Sequence, residues 1–474
     1  MRLDEAAAAV ASTDERGPEG RSELARGLTS VRDAGRDAGR DAGLDAGLAI
    51  ARASTGLTCI ALPVPVVTSP AIIAAWRSAP LTAWSTSDQA YIGIGIAREL
   101  RGEGPDRFAQ IVAAARQLEV TSTVGHATWV PRLFGGAAFA PGGADQAPWT
   151  GFGDAWFALP RWTYGGGWLV LAVDAREARQ DARWHDDLAA FRVAIATDFV
   201  PRAQPALISM DAGDTDAYRA YVHAVTDAIA RGECEKIVAA RHAVVTFAGD
   251  VRPADLFGEL DARHADSVRV LVRPPSGGTL VAATPERLVR VEGTRVSCDA
   301  LAGSIARGRD DAATLLASTK DRNEHALVVD AIISTLRGFG ADVTAASEPG
   351  IRALRQIVHL HTPITATLPT RRHVLEIAAA LHPTPAIGGT PRPVATRWIA
   401  EREAARGWYA SPVGWFDLAG DGELVVAIRS GVVEGERASL YAGSGIVAGS
   451  DPERELVETD VKLRTMLGAL GVPA

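Results

Sequence analysis

The stretch LVVAIRSGVVEGERASLYAGSGIVAGSDPERELVETDVKLRTMLGAL, Leu424 to Leu470, decides the fold. Two apolar runs, 424–433 and 438–447, flank a short turn through Gly435 and read as paired strands. A helix then starts well: Asp451 can cap it and Pro452 suits its first position. Leu456, Leu463, Leu467 and Leu470 follow one face of it. The same grammar recurs upstream. A helix is predicted over about 217–231, and strands around 236–247 and 267–273. The run LVAATPERLVRVEG-TRVSCDAL (280–301) reads as a hairpin turning near Gly293. Segment 318–338 carries a helical stripe of Leu327, Val328, Ala331, Ile332 and Leu336. Strand pairs mixed with long helices predict an α+β or mixed α/β body with two large, mostly antiparallel sheets.

Towards the N-terminus the signals weaken. AYIGIGIA (90–97) and GGWLVLAVD (166–174) read as strands, with helical periodicity at 107–118 and 182–197. The DAGR-DAGR-DAGL-DAGL run ends at Leu48, and a glycine every fourth residue costs a helix roughly 1 kcal/mol each. Residues 1–48 are therefore expected to be a disordered low-complexity tail. The proline-bearing, polar stretch 200–216 is the best linker candidate, dividing an N-terminal part, 49–205, from a C-terminal part, 206–474.

Composition excludes several classes. The net charge of −8 removes a broad basic footprint for nucleic acid. No apolar run approaches a membrane span, and three scattered cysteines make neither a disulfide framework nor a zinc site. A cytoplasmic protein free of nucleic acid and membrane is expected. Only Lys236, Lys320 and Lys462 are lysine, leaving 46 of the 49 basic residues as arginine. Either three unimportant lysines escaped a coding bias, or they stand where a guanidinium cannot substitute.

No phosphate-cradling loop, dinucleotide fingerprint or nucleophile elbow is present. Glu455 and Glu458 are three apart near the start of the last helix, and Glu324 opens another helix within KDRNEH. Three hard oxygen ligands from two helices suit Mg²⁺, although surface helices carry such pairs routinely. Lys236 opens the apolar strand EKIVAAR, as either a snorkelled edge charge or a desolvated amine. Glu286 sits between apolar neighbours where a strand meets a turn. Arg429, inside an apolar strand, demands an anionic partner. AGSG (442–445) is either a backbone nest for a carboxylate or a glycine bulge. The ligand implied is a small di-anion.

Ten motifs in order, from EKIVAAR (235–241) and TPERL (284–288) through ALAGSIARG (300–308), KDRNEH (320–325), HLHTPI (359–364), LHPTPAIGGTP (381–391), GWYASPVGW (407–415), AIRSG (427–431) and AGSGIV (442–447) to DPERELVETDVKL (451–463), resemble the chorismate-utilising enzymes, most closely the isochorismate synthases. The resemblance implies that 206–474 is the chorismate-binding catalytic module of that fold. It makes Lys236 the general base that activates water and Glu286 the general acid at the departing hydroxyl. It implies Mg²⁺ on Glu324, Glu455 and Glu458. The substrate chorismate would lie against Gly303, Ser304, His359, Thr362, Tyr409, Arg429, Gly443, Ser444, Gly445 and Lys462. Lysine at 236 favours water over ammonia. The family also implies a monomer with no glutaminase subunit, feeding menaquinone, siderophore or salicylate-derived products. Two departures stand out. GSIARG (303–308) lacks an Arg and a Pro that relatives carry at Ile305 and Ala306. His361, in a variable position expected near the ring together with Thr362, bears on whether pyruvate is also eliminated to give salicylate.

Overall fold

The computed structural model describes residues 41–473, apart from 67–71, 74, 75, 77, 78, 125–128, 198, 309 and 310. Among the described residues the strands form a 13-stranded and a 10-stranded sheet, antiparallel except where Leu57–Pro63 runs parallel to Val120–Ser122. One apolar core, containing Ala239 and Val270 of the larger sheet and Leu133 and Val289 of the smaller, lies between them. A second core covers the other face of the larger sheet with helices.

The linker at 200–216 does not separate two bodies. Strand Leu207–Asp211 within it pairs with Lys236–Phe247, and Val268–Arg273 pairs with Leu81–Ser85 from the N-terminal part. Both sheets therefore mix strands from 49–205 and 206–474. The tail needs a correction too: Ala42–Ala53 is a helix, capped by Asp41, whose side chain accepts from the Leu44 amide. Leu44, Leu48 and Ala51 are buried against strand Leu57–Pro63. Gly47 is needed there because a Cβ would come within 2.2 Å of Ile60. Packing against the strand outweighs the glycine propensity cost. Residues 1–40 of the expected tail lie outside the described residues.

The expected helices at 217–231 and 318–338 form as Thr215–Ala230 and Thr319–Gly338, and the last helix runs Pro452–Ala469 from its Asp451 cap. One expected strand is broken. Residues 424–433 divide into Gly422–Val426 in the smaller sheet and Ser430–Glu434 in the larger. The break falls at Arg429, a non-glycine residue with φ +50°. Likewise Thr279–Thr284 belongs to the larger sheet and Arg287–Glu292 to the smaller. The two crossings run side by side and bond each other: Val426 donates to the Glu286 carbonyl (3.0 Å), and Ala283 to that of Arg429 (3.1 Å).

The N-terminal part contains a second such pair, between Ala90–Ile94 and Arg98–Gly102 and between Ala155–Leu159 and Trp162–Gly165. There the crossing residue Arg161 is neutralised by Glu177 at 2.7 Å.

Candidate active site

The paired crossings form one wall of a pocket enclosing about 640 Å³, part of it open to solvent. Glu286, only 4% exposed, is on that wall with Arg429. Burial pushes its carboxyl up to about 8, against the opposing pull of Lys236, Arg429 and Lys462. Asp299 pushes the same way as burial. A carboxylic acid at neutral pH is the result.

Arg429 is 6% exposed, and among the described residues no carboxylate pairs with its guanidinium. Its partner is the ring of His359, with Nη2 3.3 Å from Nε2. His359 Nδ1 in turn lies 3.0 Å from the Ser304 hydroxyl. Burial and the Arg429 charge hold His359 well below its usual range, so the ring is neutral. A buried guanidinium without a counter-ion, in a backbone conformation that costs of order 1 kcal/mol, is prepared for an anion. Arg161 at the matching crossing shows the alternative, with its charge already satisfied.

The opposite wall comes from the strand pair Lys236–Phe247 and Arg437–Ile446. Their register is regular from Ile237–Ile446 to Thr246–Arg437, so AGSG is neither a nest nor a bulge. Its glycines are there for space. A Cβ on Gly445 would lie 2.4 Å from Glu324 Oε1 and 2.7 Å from Lys236 Cε. One on Gly443 would lie 3.1 Å from the Tyr409 hydroxyl. Tyr409 stacks on Tyr441 at 5.2 Å, and burial pushes its phenol up to about 12, so it remains a proton donor. Ser444 points away from the pocket to the Tyr218 hydroxyl (2.7 Å), locking the strand to helix Thr215–Ala230.

Lys236 is wholly buried, not an edge charge, and donates to Glu324 Oε1 at 2.7 Å. Burial pushes Glu324 up, but Lys236, Lys462 and Lys320 outweigh it and keep the carboxylate ionised. Each of the three candidate metal ligands is met by one of the three lysines. Lys462 Nζ is 2.6 Å from Glu458 and also donates to the Gly443 carbonyl (2.8 Å). Lys320 Nζ is 3.0 Å from Glu455. Among the described residues no three acidic, histidine or cysteine side chains converge as a ready metal cage. The donor chemistry nonetheless fits a hard divalent cation: burial raises the Glu458 carboxyl and the charges of Glu455 and Glu324 raise it further, so the three lie within one field that a cation relieves. The ammoniums stand in for that charge.

Glu286, Gly303, Ser304, Glu324, His359, Tyr409, Arg429, Gly443, Gly445, Glu458 and Lys462 line the pocket. Lys236, Glu455, Thr362 and Ser444 do not. Thr362 is on the other face of strand Ile357–Thr367, donating to His325 Nε2 at 2.8 Å. His325 Nδ1 then donates to the Ala302 carbonyl (3.3 Å), a chain that ties the helix to the strand bearing Gly303. His361 is also absent from the wall and is held by Asp299 at 2.8 Å. Burial pushes Asp299 up, but His361, Arg287 and Arg352 outweigh it and hold it below the carboxylate range. Gly303, at φ +73°, makes a bulge between Ala302 and Ser304 that turns the serine to His359. Sequence reasoning missed Ala386 and Ile387, which line the apolar side from within LHPTPAIGGTP, and the partnership of Lys320 with Glu455. The scarcity of lysine was the available signal for the second.

The chain is similar to known proteins over most of its length. The chain is 36% identical over 419 residues to the salicylate biosynthesis isochorismate synthase of Pseudomonas aeruginosa, covering 84% of this chain and 87% of that one. It is 31% identical over 412 residues to isochorismate synthase MenF of Bacillus subtilis, covering 82% and 87%. The solved structure of the menaquinone-specific isochorismate synthase MenF from Escherichia coli superposes with TM-score 0.73 at 25% identity, over 90% of this chain and 99% of that one. No helix among the described residues is long and apolar enough to cross a membrane. The sequence profile of the chorismate binding enzymes matches residues 49–471, and the chain belongs to that family.

Proposed function

We propose that this chain is an isochorismate synthase, an isomerase that converts chorismate reversibly to isochorismate. The observation that carries the reading is the pair of bonded crossings. They set an acid that is protonated at neutral pH beside a buried arginine that has no carboxylate partner among the described residues. Arg429 and the Tyr409 hydroxyl take the enolpyruvyl carboxylate. Water adds at C2, the ring double bond shifts, and the C4 hydroxyl leaves with the proton of Glu286. Lys236, as the free amine, takes the proton of the incoming water, which requires that it part from Glu324. Both proton transfers involve side chains that are themselves buried, and correctly placed acid and base contribute ~10²–10⁴-fold each. Glu324, Glu455 and Glu458 would hold Mg²⁺, which supplies positive charge for the ring carboxylate. Lys462, bonded to Glu458, faces the same end.

Thr362 is turned away to His325 and His361 is held by Asp299, which favours the isomerase over the lyase that would go on to release pyruvate. Lysine at 236 favours water over ammonia.

The test is chorismate with purified protein, first with Mg²⁺ and then with EDTA, the products separated by chromatography and weighed by mass spectrometry. A new product of unchanged mass that vanishes with EDTA is expected. Pyruvate with salicylate would replace the isomerase by the lyase. No conversion by folded protein would refute the reading.

A further inference from the structure

Every lysine in this chain pairs with a different one of the three carboxylates: Lys236 with Glu324, Lys320 with Glu455 and Lys462 with Glu458. The remaining 46 basic residues are arginine, and among the described residues none of them pairs with these three. An arginine fork grips a carboxylate with two parallel bonds, whereas an ammonium is a point charge on a flexible stem that withdraws easily. Lys236 and Lys462 have further roles in the proposed reaction. Lys320 has none: it is outside the pocket wall, its side chain is 39% exposed, and its one bonded partner among the described residues is the buried Glu455 (4% exposed). It therefore has solvent to retreat into, and Glu455 does not.

We propose that Lys320 is a displaceable counter-ion of the divalent-cation site: it neutralises Glu455 while the cation is absent, and cation and ammonium compete for that carboxylate. The inference rests on the reading that these carboxylates take Mg²⁺. It explains why lysine survives at 320 in a chain that otherwise uses arginine. Without that lysine the buried Glu455 would stand unpaired beside Glu458, whose carboxyl its charge already raises. With an arginine the cation would have to break a bidentate pair.

The probe is Mn²⁺ added to the full-length protein without substrate, with free ion read from its paramagnetic resonance signal and bound ion chased with Mg²⁺. Lys320→Met is expected to bind Mn²⁺ about three- to tenfold more tightly than wild type, since the competitor is gone. Lys320→Arg is expected to bind several-fold more weakly. Thermal melting adds an independent readout: Lys320→Met melts below wild type without cation and regains the difference with it. A folded Lys320→Met with unchanged or weaker affinity overturns the inference. If that variant does not fold, Lys320→Arg decides, and unchanged affinity there overturns it. Wild-type protein that takes up neither Mn²⁺ nor Mg²⁺ overturns the magnesium assignment along with it, while conversion of chorismate would still be judged separately by its product.

Discussion

Gly445→Ala separates the cost of disturbing the Lys236–Glu324 pair from the cost of disturbing the fold. The added Cβ would stand 2.4 Å from Glu324 Oε1, 2.7 Å from Lys236 Cε and 3.1 Å from Lys236 Nζ. All three atoms are towards the ends of long side chains, so they can swing aside without moving either strand. Overpacking of rigid atoms costs about 1–3 kcal/mol, and here most of that is avoided. Alanine in place of glycine also returns about 0.4–1 kcal/mol by restricting the unfolded chain, since Gly445 has no positive φ to lose. Melting is thus expected to stay within a few degrees of wild type. Catalysis is not spared, because the proposed base and a proposed carboxylate ligand are both pushed off position, and a displacement near 1 Å costs ~10²-fold. Steady-state conversion of chorismate, with melting curves on the same preparations, measures both. Gly468→Ala is the control: no atom meets its Cβ within 4 Å, and rate should be unchanged with equal or higher stability. If Gly445→Ala keeps more than about a third of wild-type turnover, the proposed placement of Lys236 is wrong. A large fall in melting temperature would show instead that the glycine serves packing alone.

Glu286→Gln keeps the shape of the acid and removes its proton, so turnover should fall ~10²–10⁴-fold in folded protein. Because burial raises Glu286 to about 8, the folded protein binds a proton that the unfolded chain has lost. Its contribution to stability is full below the ordinary carboxyl range and is lost as pH climbs through about 8. Urea midpoints across that window should therefore fall more steeply for wild type than for Glu286→Gln, and parallel curves would refute the assignment. Arg429→Met should raise KM for chorismate roughly 10–100-fold, from the loss of a charged hydrogen bond of about 1.5–3 kcal/mol, while leaving or raising the urea midpoint. An unaltered KM would mean the anion binds elsewhere. Thr362→Val breaks the link to His325 and should cost about 1 kcal/mol in denaturant titrations with no new product. Pyruvate appearing in that variant would put Thr362 back in the pocket.

Caps and long periodic helices were readable because their signals are local: Asp451 and Pro452 define the start of the last helix whatever surrounds them. The ordered motifs likewise predicted most of the pocket wall, from Glu286 to Lys462. What escaped depended on contacts distant in sequence. Leu44 and Leu48 are one helical turn apart, but only the strand beneath them makes that face worth burying. The run 424–433 is uniformly apolar because it is buried in both sheets, so nothing within it marks the change of sheet at Arg429. Alternation along HLHTPI could separate Thr362 from His359 by face, but not say which face met the pocket.

The sequence by itself determined the long C-terminal helices, the candidates for acid, base and anion-binding arginine, and the scarcity of lysine. Only tertiary structure decided that Glu286 and Arg429 would ride neighbouring crossings, that Ser444 and Thr362 would turn away, and that each lysine would find its own carboxylate. Local patterns follow from backbone geometry and burial period, whereas these pairings depend on which strands meet across a sheet and which charges then lack water.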